Sequence, residues 1–153
     1  MKKLFLWTAA VMMGIILLGS CEDDNDVKSK LPVFSDIVFD TDVLRAGETV
    51  TATAVQSQKG KLLDRTEYTW KNNDTTVVRN LIYGQKGSDG NPSWTFVVPS
   101  NVRTLNLTFT GRYNLSGQPV NQNGSQSIPS GSVVYQMASL VGYVTITKSV
   151  RIE

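Results

Sequence analysis

Between Arg103 and Tyr113 the chain alternates strictly. Leu105, Leu107, Phe109 and Tyr113 fall in one phase, and Thr104, Asn106, Thr108 and Thr110 fall in the other. Successive side chains of an extended backbone point to opposite faces, so this pattern dictates a strand with one buried face and one wet face. The same period of two governs most of the body. Ile37 and Phe39 alternate from about Asp36. Val50, Ala52 and Ala54 alternate with threonines between Glu48 and Gln56. Tyr68 and Trp70 share a phase within Arg65 to Lys71, Thr76 to Tyr83 reads as a further strand, and Trp94, Phe96 and Val98 point one way. Val144, Ile146, Val150 and Ile152 share a phase in the last segment, from Val141. No segment of the body has a helical period. Turn-forming clusters at Arg45-Ala46-Gly47-Glu48, Asn72-Asn73-Asp74 and Pro99-Ser100-Asn101 separate the runs. About seven short strands spaced in this way predict an all-β antiparallel sandwich over residues 36–153.

If each strand crosses the sandwich once, the connections alternate between its ends. The segments 57–64, 84–93 and 115–131 then share one end, and the short turns near 41–47, 72–75 and 99–102 share the other. Long loops gathered at one end of a rigid scaffold are where recognition surfaces are usually built. The same count places the start of the first strand, and whatever precedes it, beside the long loops.

The first 35 residues follow a different rule. Lys2 and Lys3 precede an apolar stretch from Leu4 to Leu18, interrupted only by Thr8 and Gly14. Its 15 residues are fewer than the ~20 that a bilayer-spanning helix needs, but they suit the apolar region of a secretory signal. Leu18-Gly19-Ser20-Cys21 follows, and Cys21 is the sole cysteine of the chain. This tetrad resembles the lipobox of bacterial lipoproteins. The resemblance implies a signal peptide at 1–20, a thioether-linked diacylglycerol on Cys21, commonly a third acyl chain on its amino group, and a membrane partner reached through that anchor. A thioether also accounts for a single cysteine in an oxidising compartment, where a free thiol is a liability. Glu22-Asp23-Asp24-Asn25-Asp26 then resembles the acidic export signal that sends some Gram-negative lipoproteins to the exterior of the outer membrane. Residues 21–35 read as a lipidated acidic tether; its 14 residues after Cys21 span about 46 Å when extended.

The middle of the chain carries a second resemblance. Arg45-Ala46-Gly47-Glu48-Thr49-Val50-Thr51-Ala52-Thr53-Ala54, the later Tyr68-Thr69-Trp70 and the run from Leu105 to Tyr113 are similar to immunoglobulin-like and PKD-like domains of bacterial surface proteins. The resemblance implies an immunoglobulin-like sandwich over about residues 36–113. Asn72-Asn73-Asp74 stands where those domains usually have Gly-Asp-Gly.

Composition narrows the function. The chain has no histidine, which removes histidine triads, histidine bases and histidine metal ligands, and one cysteine allows neither an internal disulfide nor a cysteine metal cluster. Loss of residues 1–20 takes away Lys2 and Lys3 and leaves 13 basic and 13 acidic side chains with no basic block, so no nucleic-acid partner is expected. Gly84, Gly87 and Gly90 form a glycine-rich segment, but Pro92 and a strand follow it, where a phosphate cradle requires a helix. Asp40, Asp42 and Glu48, and separately Asp89 and Asn91, are better read as turn formers than as the six to eight oxygens that calcium requires. Asp64 and Glu67 are the nearest carboxylate pair for acid–base hydrolysis, with nothing to enclose them. Trp70 and Trp94 fit a core, which leaves Tyr83 and Tyr135 as the candidate ligand-binding aromatics. Asp74-Thr75-Thr76 resembles an O-glycosylation acceptor of envelope proteins. The expectation is a non-enzymatic, cofactor-free envelope lipoprotein that presents the sandwich as a binding or structural module in a surface protein complex. Two alternatives stand beside it: a polysaccharide-binding module, and a fimbria-associated subunit that donates its last strand, Val141 to Ile152, to a neighbour.

Overall fold

A computed structural model of the chain describes residues 27–73 and 77–153. Their strands are β1 (Lys28–Ser29), β2 (Val33–Phe39), β3 (Thr49–Gln58), β4 (Leu63–Lys71), β5 (Val77–Tyr83), β6 (Ser93–Val97), β7 (Thr104–Leu115), β8 (Gln118–Pro119), β9 (Gly124–Ile128), β10 (Gly131–Ala138) and β11 (Val141–Arg151). One sheet has the order β2-β3-β6 and a larger one the order β5-β4-β7-β11-β10-β9, all antiparallel, while β1 and β8 form a small parallel pair.

The two antiparallel sheets face each other across one core. Phe34 and Ile37 of β2, Ala52 and Ala54 of β3, and Trp94 and Phe96 of β6 meet Tyr68 and Trp70 of β4, Phe109 and Tyr113 of β7, Val133 of β10 and Val144 and Ile146 of β11. An aromatic chain ties the layers together. Trp94 lies 6.3 Å from Trp70, Trp70 lies 4.8 Å from Phe109, and Phe109 lies 5.3 Å from Phe34, measured between ring centroids. Ala52 stands opposite Trp94 in the register, so a minimal side chain makes room for a maximal one. Both tryptophans are core residues, as their phase predicted. Gly111 serves the same purpose on β7. A Cβ there would lie 2.5 Å from Tyr113 Oη, because the Tyr113 ring folds back along its own strand over the glycine.

An ion pair also joins the layers. Lys148 Nζ of β11 reaches both carboxylate oxygens of Asp36 on β2 at 2.8 Å and the Ile37 carbonyl at 2.7 Å.

Two expectations are corrected here. The tether does not extend to residue 35. Ser29, Leu31 and Phe34 are buried, and β1 and the start of β2 belong to the fold. The pairing of β2 with β3 shifts register around Phe34, so Phe34 and Ile37 are both inward despite being three residues apart. That bulge lies before Asp36, so Ile37 and Phe39 alternate as read, but their period of two does not carry back to Phe34. Leu31 is held partly by a side chain, since its N–H donates to Gln122 Oε1 at 2.7 Å.

Strand number is the second correction: eleven strands among the described residues replace about seven. The segment 115–131 is not one loop, because β8 and β9 lie within it. Every residue of β9 but Ile128 is exposed. It therefore has no buried phase to read and is held by backbone pairing with β10.

β9 and β10 together add two crossings, so β11 keeps the direction the simple count gave and starts at the long-loop end, antiparallel to β7, where the Leu140 carbonyl accepts from Leu115 N–H. The grouping of the earlier loops holds. Lys59 pairs with Asp89 at 3.0 Å, Gly60 N–H donates to Ser88 Oγ at 2.5 Å, and Ser116 N–H donates to the Leu62 carbonyl at 2.9 Å. The N-terminal segment joins them through backbone hydrogen bonds between Lys30 and Lys61.

Candidate functional site

The inner faces of the sheets are filled with side chains, which leaves their outer faces, edges and loop ends for function. The largest such surface is the outer face of the six-stranded sheet, and register assembles it in rows. Tyr83, Arg65 and Asn114 are directly opposed across β5, β4 and β7. In the next row Leu81, Glu67, Arg112 and Tyr143 are opposed across β5, β4, β7 and β11. Arg79, Thr69, Thr110 and Thr145 make the third. Directly opposed residues hold their Cβ atoms about 4.5–5.5 Å apart, so each row is a line of touching neighbours.

The rows share a charge. The outward phases of β4, β5, β7 and β11 carry Arg65, Lys71, Arg79, Arg112 and Arg151, against Glu67. Among the described residues thirteen Lys and Arg stand against eight Asp and Glu, so the folded body is cationic, whereas Glu22, Asp23, Asp24 and Asp26 precede it. The neutral total over residues 21–153 had concealed this division. Arginine forks pair with carboxylate, phosphate or sulfate groups through two hydrogen bonds, and Tyr83 and Tyr143 offer ring faces for stacking. A broad, gently twisted face suits an extended ligand rather than an enclosed small molecule. Sequence reasoning missed this set because its cations are scattered; each occupies the polar phase of its own strand, and only the strand order brings them together.

The predicted aromatic pair does not converge. Tyr83 is 68% exposed, on the outer phase of β5 beside Arg65. Tyr135 lies on β10, four strand positions away in the sheet, or about 19 Å at the usual strand spacing. It faces inward, where its hydroxyl accepts from Phe34 N–H at 2.9 Å, and burial raises its pKa. Tyr68 and Tyr113 lie deeper. Burial lifts Tyr68 to about 12 and Tyr113 well above its ordinary value, so both are neutral packing groups at physiological pH.

The other candidates take structural parts. Gly87 lies in a short 3-10 turn, Gly84–Ser88, that plugs the loop end of the sandwich. A Cβ at Gly87 would collide with Thr66 Oγ1, and its carbonyl accepts from Tyr68 Oη. Asp40 Oδ1 accepts from Thr51 N–H at 2.9 Å, and Asn91 Oδ1 from Gln56 N–H at 2.8 Å. Among the described residues no three acidic, cysteine or histidine side chains group as metal ligands. Asp64 is exposed at the irregularity that opens β4, while Glu67 faces Arg112 across the register. Cys21 and Asp74-Thr75-Thr76 lie outside the described residues.

Among the described residues no helix is long and apolar enough to cross a membrane. Comparison with protein-family models, with curated proteins and with solved structures finds no match to this chain.

Proposed function

We propose that this chain is a lipid-anchored, non-enzymatic protein of the outer membrane, facing the cell exterior, that presents an immunoglobulin-like sandwich as a binding or structural module of a surface assembly. The observation that carries the reading is Leu18-Gly19-Ser20-Cys21, which places the sole cysteine six residues before Val27, the first described residue. The strand order supports the sandwich family. With β2, β3, β4, β6 and β7 read as strands A, B, C, E and F, β5 as C′ and β11 as G, the sheets run A-B-E and C′-C-F-G. On that reading β8, β9 and β10 are an insertion before the last strand, and β9 and β10 extend the sheet beyond it. The test is incorporation of labelled palmitate and membrane fractionation of the wild type and of Cys21→Ser. The reading predicts label and membrane association in the wild type and neither in the variant; a wild type that is soluble and unlabelled contradicts it.

Carbohydrate binding is a second reading, favoured by the exposed Tyr83 beside Arg65 and by Tyr143 beside Arg112. These pairs suit a polysaccharide that carries carboxylate or sulfate groups. Tyrosine fluorescence during titration with acidic and neutral polysaccharides tests it: a response to the acidic series, lost in Tyr83→Ala with Arg65→Gln, supports the reading, and silence across the panel removes it. Donation of the last strand to a neighbour has less support, because β11 is hydrogen-bonded to β7 along one edge and to β10 along the other.

A further inference from the structure

The chain enters the fold at the long-loop end, and the surface there has its own character. Lys28 and Lys30 lie on the entering segment, Lys59 and Lys61 between β3 and β4, and Lys86 in the 3-10 turn. Asp64 and Asp89 are the acids of these segments, and Asp89 is already paired with Lys59 at 3.0 Å. The opposite end has no such excess: Arg45, Lys71, Arg103 and Arg151 are offset there by Asp40, Asp42, Glu48 and Glu153. Among the described residues, three of the six exposed large apolar side chains also lie at the long-loop end, namely Val27, Tyr83 and Leu140 at 54%, 68% and 51% exposure. A rim of lysines around exposed aliphatic and tyrosine side chains is the chemistry of a membrane interface, where cations meet phosphates and short apolar groups reach the acyl boundary.

Tether length adds an independent argument. Six Cα steps separate Cys21 from Val27, a reach of about 20 Å. The expected tether ending at residue 35 would have allowed the domain to wander. With the fold beginning at Lys28, an anchor on Cys21 holds this end, and no other, within about two Debye lengths of the headgroups.

We propose that the long-loop end is a docking surface for the phosphate groups of anionic lipids, on which the domain stands with its strands steeply inclined and the outer face of the large sheet turned sideways to solvent. For its geometry the proposal rests on the lipid-anchor reading. Glu22, Asp23, Asp24 and Asp26 compete for the same lysines, but they offer four carboxylates where the membrane offers a continuous sheet of phosphates.

The test uses residues 21–153 with Cys21→Ser, unlipidated. Among the described residues the buried side chains all lie between Ser29 and Ile152, so the substitution at Cys21 touches none of them. Binding is measured to vesicles of phosphatidylcholine alone and to vesicles containing phosphatidylglycerol. Preference for the anionic vesicles, weakened by salt, is expected. Lys30→Gln with Lys86→Gln should reduce binding about 25-fold, taking about fivefold for each exposed lysine. Arg45→Gln with Arg103→Gln, at the opposite end, should leave it unchanged. Equal binding to both vesicle types, equal loss from both double variants, or equally tight binding of soluble polyphosphate at this end would overturn the proposal. Mass analysis of Cys21 in the native protein separates the two claims: an unacylated Cys21 ends the anchor reading, whereas indifference to lipid charge with acylation intact ends this one.

Discussion

Lys148 carries the most exacting stability prediction. Its ammonium is bound by Asp36 Oδ1, Asp36 Oδ2 and the Ile37 carbonyl, and its side chain is 12% exposed while that of Asp36 is 22% exposed. Breaking a fully buried ion pair costs about 3–5 kcal/mol, because the remaining charge stays desolvated. Here water still reaches Asp36, so Lys148→Met should cost less, about 2–3 kcal/mol. For a domain of this size about 4 °C accompanies each kcal/mol, so the thermal midpoint should fall by about 8–12 °C. Asp36→Leu combined with Lys148→Met removes both charges and should lie within about 1 kcal/mol of the wild type, giving a large coupling energy in the double-mutant cycle. The loss should also persist in high salt, since a shielded pair is screened weakly. A midpoint for Lys148→Met within about 2 °C of the wild type, or additive losses in the double variant, would refute this view of how the sheets are joined.

The loop-end plug makes its own prediction: Gly87→Ala forces Thr66 aside and should destabilise by about 1–3 kcal/mol, checked by denaturant melts. Ser139, at φ +54° in the two-residue turn between β10 and β11, holds a conformation that glycine adopts freely, so Ser139→Gly should raise stability by about 0.5 kcal/mol in the same assay. Alkaline unfolding follows from the buried phenols. Tyr68 titrates at about 12 in the fold, and Tyr113 and Tyr135 are also raised, so the folded state keeps protons that the unfolded state releases near pH 10. Stability is whole below pH 10 and declines as pH rises toward 12, by at most about 1.4 kcal/mol per pH unit for each tyrosine. Ultraviolet titration should show Tyr68, Tyr113 and Tyr135 ionising together with unfolding.

What could be read from the sequence divides along physical lines. Strands with one buried face declare themselves by alternation, which is why β3, β4, β6, β7 and β11 were legible, along with the core positions of Trp70 and Trp94. Strands held by other means were not. β9 has almost no buried residue, the start of β2 lies before a bulge, and Leu31 is paired with the side chain of Gln122, ninety-one residues away. In β10, Val133, Val134 and Tyr135 are apolar in succession, and the alternation disappears. The cationic face was invisible for a related reason: Arg65, Arg79 and Arg112 sit on three strands whose adjacency comes from pairing, not from spacing along the chain. The exposure of Tyr83 was legible because a loop edge is a local property; that of Tyr135 was misjudged because its partner, Phe34, belongs to the other sheet.

The central claim is that Cys21 is the mature N-terminus and bears the anchor. Intact-mass and peptide mass spectrometry of the protein isolated from its native membranes tests this directly. The account predicts a chain beginning at Cys21 whose N-terminal peptide carries a thioether-linked diacylglycerol, with or without a third acyl chain, and no peptide from residues 1–20. An unmodified Cys21 thiol, or a mature chain that begins at another residue, would contradict it.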